Sequence, residues 1–151
     1  MPTYPTNGMT LAHASTIADA ALAKGRALGL QPLTVVVLDA GGQVKVIKRE
    51  DGCSLMRAEI AGGKANGALA LGVGSQELAK RSQNPAMQGF VNALSDITGG
   101  RAVPVPGGVL ACDAAGVILG AVGISGDVSL KDEECCIAGI EAAGLVASTG
   151  A

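Results

Sequence analysis

The chain has no tryptophan and only one tyrosine, one phenylalanine and one histidine among its 151 residues. With so few aromatic rings it lacks the stacking platform on which single-stranded nucleic acids are held. Lysine and arginine number 11 against 13 acidic residues, the formal net charge is -2, and no basic run occurs. A nucleic-acid partner is therefore not expected. Long apolar runs are also missing, because Lys, Arg, Asp or Gly interrupts every stretch short of the roughly 18 residues that a membrane span needs. The N-terminal MPTYPTNGMTLAHAS has no basic segment followed by an apolar one, so a soluble cytoplasmic protein is expected. C-x-x-C spacing is absent as well. The four cysteines are Cys53, Cys112, Cys135 and Cys136, and a single histidine cannot complete the usual zinc sets with them. Reduced, mostly buried thiols and no side-chain metal site are the expectation.

What the chain does have is small and apolar. Hydrophobic residues make up 48% of it, beside 23 glycines, so the core has to be assembled from Ala, Val, Leu and Ile at close approach. At this length a single domain buries roughly 70% of its unfolded surface, and no second domain is needed. Residues 1–9 read as an irregular arm, with Pro2, Pro5 and Gly8 opposing helix, and residues 10–151 as the one domain.

Thr10 is a plausible N-cap for a helix whose apolar positions Leu11, Ala14, Ala18, Ala21, Leu22 and Leu28 recur at helical spacing before Gly29 stops it. Residues 34–39 (TVVVLD) and 44–49 (VKVIKR), joined by Ala40-Gly41-Gly42, form a β-hairpin with Val44, Val46 and the stem of Lys48 on one face. Leu55 to Leu71 reads as a largely buried helix weakened by Gly62, Gly63 and Gly67. Shorter helices are expected over 76–81 and 85–97. A second hairpin spans Val109 to Cys112 and Val117 to Ile124. Ser129-Leu130-Lys131-Asp132 resembles a capping box opening a last helix that runs to about Val146. Four or five antiparallel strands flanked by helices make an α+β domain.

Five candidates carry chemistry. The Arg101 to Gly108 loop, with Pro104, Pro106, Gly107 and Gly108, can leave amides open to an anion, or its glycines can simply allow close packing. Arg49 ends the first hairpin beside Glu50 and Asp51, where it could clamp a carboxylate. The alternative is a solvated strand end. Lys64 is an ammonium inside an apolar helical stripe, either buried as a possible acid or base or snorkelling to the surface. Arg57 and Glu59 read as surface charges. His13 is the only imidazole available to an iron, a proton relay or a metal, and as a lone residue on a mixed helical face it fits a surface or oligomer-interface position better. Ser125, in G-I-S-G-D, lacks the G-x-S-x-G elbow and any neighbouring histidine, which disfavours a serine hydrolase. Asp132 and Glu133 suit any first helical turn.

The run VVVLDAGGQVKVIKREDG, then IAGGKANGA, then PVPGGVLACDAAGVILGAVGISGD followed by DEECCIAGI, resembles the GlcG/HbpS family, which includes the C-terminal module of PduO-type proteins. The resemblance covers about Leu11 to Leu145. It implies a profilin-like three-layer α/β/α domain with a four- to five-stranded antiparallel sheet, assembled into homo-oligomers from tetramer to octamer. It also implies a small-molecule ligand, which is haem in some members and a corrinoid connection in others. The matching positions are Asp39, Gly41, Gly42, Arg49, Asp51, Gly52, Lys64, Ala65, Pro106, Gly107, Gly108, Gly120, Gly123, Ser125 and Gly126, which would line a pocket near a subunit boundary. His13 belongs to no shared motif. Cys53 stands where a small residue such as Ala is common, and Asn66-Gly67 replaces a Thr-Ala pair.

Two functions follow as expectations. The first is an oligomeric binding module for haem, a corrinoid or a small carboxylated metabolite, with Arg49, Asp51, Lys64, Pro106, Gly107, Gly108 and Ser125 at the ligand. The second is a cofactor-independent isomerase, tautomerase or lyase acting on a small keto or carboxylic acid, in which Arg49 or the glycine amides hold the anion and Lys64 or a carboxylate such as Asp51 or Glu59 moves a proton.

Overall fold

A computed structural model describes residues 1–150 of the chain. Both hairpins form where alternation and turn residues place them: β1 (Thr34–Asp39) pairs with β2 (Val44–Arg49), and β3 (Gly108–Cys112) pairs with β4 (Ile118–Ser125). They join through β1 and β4, with Thr34 opposite Ser125 and Asp39 opposite Gly120. A short fifth strand, β5 (Val146–Ser148), pairs with β3, and the fully antiparallel sheet runs β2-β1-β4-β3-β5.

Successive side chains of a strand point to opposite faces, and β1 is apolar on both. Val35 and Val37 face α1 (Leu11–Ala27) and α5 (Ser129–Ala142), in one cluster with Val109, Val122 and Ile124. Val36 and Leu38 face α2 (Arg57–Leu71), together with Leu110 and Ala121. Helices α3 (Ser75–Ser82) and α4 (Gln88–Ile97) follow α2. The result is a three-layer α+β architecture, with α1 and α5 on one face of the sheet and α2 on the other. Thr10 caps α1 as expected, its hydroxyl accepting the His13 amide hydrogen at 3.1 Å. Met9, at the end of the arm, is fully buried in the core.

Several expectations are corrected. A bulge at Lys45 pairs Val37 with Val46 but Leu38 with Val44. The extra residue moves Val44 to the α2 side, while Val46 stays in the α1 cluster. Helix α4 begins at Gln88 rather than at Pro85. The last helix stops at Ala142 because Gly144 adopts a positive φ of 75°, and Val146–Ser148 become β5. Ser129 is not its cap. Val128 holds that position without a side-chain bond, and Asp132 reaches back instead to accept the Asp127 amide at 3.0 Å.

Two strand glycines have a steric reason. Gly108 and Gly123 face each other on β3 and β4, and a Cβ on either would run into the α2 backbone, at the carbonyl of Lys64 or of Ala61. Their role is to let helix and sheet backbones approach closely.

Candidate functional site

At the end of the sheet where Ser125 lies, the sequence candidates separate into an interior cluster and a surface group. Lys64 is 2% exposed. Its Nζ donates to the Ile124 carbonyl at 2.8 Å and to Asp132 Oδ2 at 3.1 Å. Asp132 is 1% exposed and comes from α5, on the other face of the sheet, so the pair closes around the strand end. Gly107, with φ of 110°, stands against it. A Cβ there would sit 2.9 Å from Lys64 Nζ. Burial pushes the Asp132 carboxyl above its ordinary range even though Lys64 opposes the shift.

Glu133 lies beside this pair at 5% exposure. The Gly107 amide and the cations Lys64 and Lys80 favour its ionised form. Burial outweighs all three and raises its pKa, and Oε2 is left without a hydrogen-bond partner. The Gly108 amide donates to Ser75 Oγ at 2.7 Å. The loop expected to offer open amides therefore turns them inward, because buried N–H groups take whatever partner the interior supplies. Cys136 Sγ lies 3.3 Å from the Gly107 carbonyl. Burial raises the Cys136 thiol well above its ordinary range and Cys135 to about 11. All four cysteines are free, and only Cys53 is not buried.

Arg49 and Asp51 are exposed at the surface. With Arg26, Pro32 and Glu50 they line a polar hollow of about 410 Å³. Arg49 donates to the Ser54 carbonyl at 2.8 Å and also to the Cys53 carbonyl, so it ties down the loop after β2. Ser125 is buried, and its Oγ accepts from Arg57 Nη1 at 3.1 Å. Arg57, read from sequence as a surface charge, is half-buried. Its partner lies 68 positions away, and no local signal could have revealed it. His13 sits on α1, across the sheet from α2, with ring Nδ1 buried and unpartnered.

A second hollow of about 410 Å³ is more apolar. Val36, Leu38, Val44, Ile47 and Ala58 line it, together with Glu59, Asn66 and Arg101. It lies between β2 and α2 and includes Gly42, which the resemblance placed at a pocket, whereas its apolar walls Val36, Leu38, Val44 and Ile47 were not singled out from sequence as ligand contacts. A third, of about 230 Å³, is lined by residues of the loop after β2, by Arg57 and by Gly126. Lys64 lines none of the three. Among the described residues no group of three or more His, Cys, Asp or Glu side chains is placed to hold a metal ion. No helix among them is long and apolar enough to cross a membrane.

The family model described as haem degrading protein HbpS-like matches residues 9–141. This chain belongs to the HbpS-like family. The same fold recurs in the PduOC–haem complex, 25% identical with a TM-score of 0.81, where the alignment covers 91% of this chain and 96% of that one. HbpS itself is 28% identical with a TM-score of 0.75, covering 93% and 92% of the two chains. The Klebsiella pneumoniae protein ORFY is 24% identical, with a TM-score of 0.81 and coverage of 95% and 96%. Among curated proteins no relative matches. The chain and the HbpS-like structures share one fold over more than 90% of this chain's length.

Proposed function

We propose that this HbpS-like chain is a small-molecule-binding protein whose ligand lies in the groove between β2 and α2. One observation carries the reading: Val44 and Ile47 remain 55% and 48% exposed over a floor of Val36 and Leu38, on a face that α2 covers only in part. Apolar walls with a few polar groups at the edge are the usual make-up of a ligand pocket. Arg101 adds a cation suited to a carboxylate.

Haem is the ligand that the PduOC–haem complex and the family description bring forward, and the groove meets half of its requirements. Its walls suit the body of a porphyrin, and Arg101 suits a propionate. Its lining contains no His, Cys, Met or Tyr, the side chains that serve as haem axial ligands. His13, on the far face, does not supply one. The ligand is therefore a flat, apolar-bodied anion held by its walls, and haem enters the groove without a strong side-chain ligand from the same chain. The chain works as a homo-oligomer, tetramer to octamer, and a corrinoid is the alternative large ligand.

Haem titration followed by absorbance tests this. The expected result is saturable binding that weakens at least about tenfold in Ile47→Glu and less in Arg101→Gln, with the spectrum unchanged in His13→Ala. Binding that is indifferent to Ile47→Glu but abolished by His13→Ala overturns it. Native mass spectrometry of the same samples reads the subunit number. Against the proton-transfer isomerase or lyase stands the burial of Lys64, which lies away from all three hollows.

A further inference from the structure

The 230 Å³ hollow shares no lining residue with the groove. Arg57 faces it from the start of α2, with Cys53, Ser54 and Gly126 around it. Two hydroxyls fix the guanidinium: Nε donates to Ser54 Oγ at 3.0 Å and Nη1 to Ser125 Oγ at 3.1 Å. A guanidinium carries five N–H donors, so these bonds set its plane and leave the others uncommitted. No carboxylate among the described residues pairs with it, whereas Arg26 and Arg81 each have one. Hydroxyl dipoles compensate the charge of a half-buried arginine only in part. The neighbouring acid, Asp127, is turned to backbone amides, accepting from Gln31 at 2.8 Å and Val128 at 2.7 Å. Arg49 holds the Cys53 and Ser54 carbonyls, which fixes the loop that lines the hollow.

We propose that this hollow is a second binding site, in which Arg57 takes the carboxylate or phosphate of a small anion. A planar fork already oriented by two side chains matches the paired oxygens of either group. The volume lies below the roughly 300–1,000 Å³ that drug-sized ligands occupy, which limits the occupant to a metabolite-sized anion or inorganic phosphate. The site stands whether or not the groove binds haem.

Cys53, the one cysteine that is not buried, lines the hollow and reports on it. Its alkylation by anionic iodoacetate and by neutral iodoacetamide is to be timed by mass spectrometry of the intact protein. The expected ratio of the two rates exceeds that of free cysteine by about tenfold, the low end of electrostatic focusing in a cleft. Arg57→Gln lowers it severalfold, the remainder being the charge of Arg49 on the Cys53 carbonyl. Arg57→Lys, which keeps the charge but loses the fork, falls between. Millimolar phosphate or short carboxylates slow both reagents in the parent protein, and which of the two protects identifies the group bound. Ile47→Glu leaves the ratio untouched, which separates this site from the groove. A parent ratio equal to that of free cysteine, a ratio unmoved by Arg57→Gln, or protection by neither anion overturns the proposal. Should Arg57→Gln fail to fold, Arg57→Lys and protection of the parent protein decide.

Discussion

Beneath α1 and α5 the sheet presents Val35, Val37, Val109, Val122 and Ile124, met by Ile17, Cys135 and Ile140 and sealed from water. Beneath α2 it presents Val36, Leu38, Leu110 and Ala121, met by Ala61, Ala65 and Ala68, with Gly108 and Gly123 between them. One face is held by branched side chains that interdigitate, and the other by two backbones brought almost into contact. A narrow helix of alanine and glycine cannot cover a five-stranded sheet. The edge strand β2 is left with Val44 and Ile47 uncovered. The tight face is also the face with the groove, for the same steric reason.

The comparison is broken most severely by a side chain placed where the backbones meet. Gly123→Val puts a branched group against the Ala61 carbonyl, and the expected loss in urea denaturation is about 3 kcal/mol or more. Ile124→Val, on the opposite face, is expected to cost about 1 kcal/mol. Equal losses would show that the two faces pack alike.

Lys64→Met leaves Asp132 buried and unpaired, and breaking a buried pair costs roughly 3–5 kcal/mol. The double variant Lys64→Met/Asp132→Leu should recover most of that loss. A double-mutant cycle with no coupling would remove the pair as a link between the faces. Ser75→Ala orphans the Gly108 amide and is expected to cost about 1–3 kcal/mol, read from the same urea curves.

The smallest effect is one of pH. Burial raises Glu133 above its ordinary 4.5. Between that value and its folded pKa the native state holds a proton that the unfolded chain has lost, so stability falls as pH rises through the window. Glu133→Gln removes that slope. Its advantage over the parent should be absent below about pH 4.5 and grow upward, measured as melting temperature against pH. A constant difference would mean that Glu133 stays ionised.

The fold was legible where the pattern is local. TVVVLD and its partner strand declare themselves by β-branched residues and a glycine turn, and Thr10 by its place before a helical period. The resemblance then supplied the layers. Strand β5 was hidden because three residues carry no periodicity of their own and exist only by pairing with β3. The face of Val44 was misassigned because a bulge is a property of two strands together. Of the site, Lys64 was seen as ambiguous, and its burial depends on Asp132, 68 positions away. Asp132 and Glu133 looked like ordinary first-turn acids, and Arg57 like a solvated charge. In each case the deciding partner is remote in sequence, and periodicity cannot report it.

The Lys64–Asp132 bond also bears on the order of folding. It closes a loop of 68 residues between helices on opposite sides of the sheet, and contacts so distant in the chain form only after the intervening loop entropy has been overcome. It is therefore absent from an early nucleus made of the hairpins. A contact made after the rate-limiting step governs how long the native state lasts more than how fast it is reached. A variant that loses this pair is therefore expected to unfold faster while its folding rate changes little.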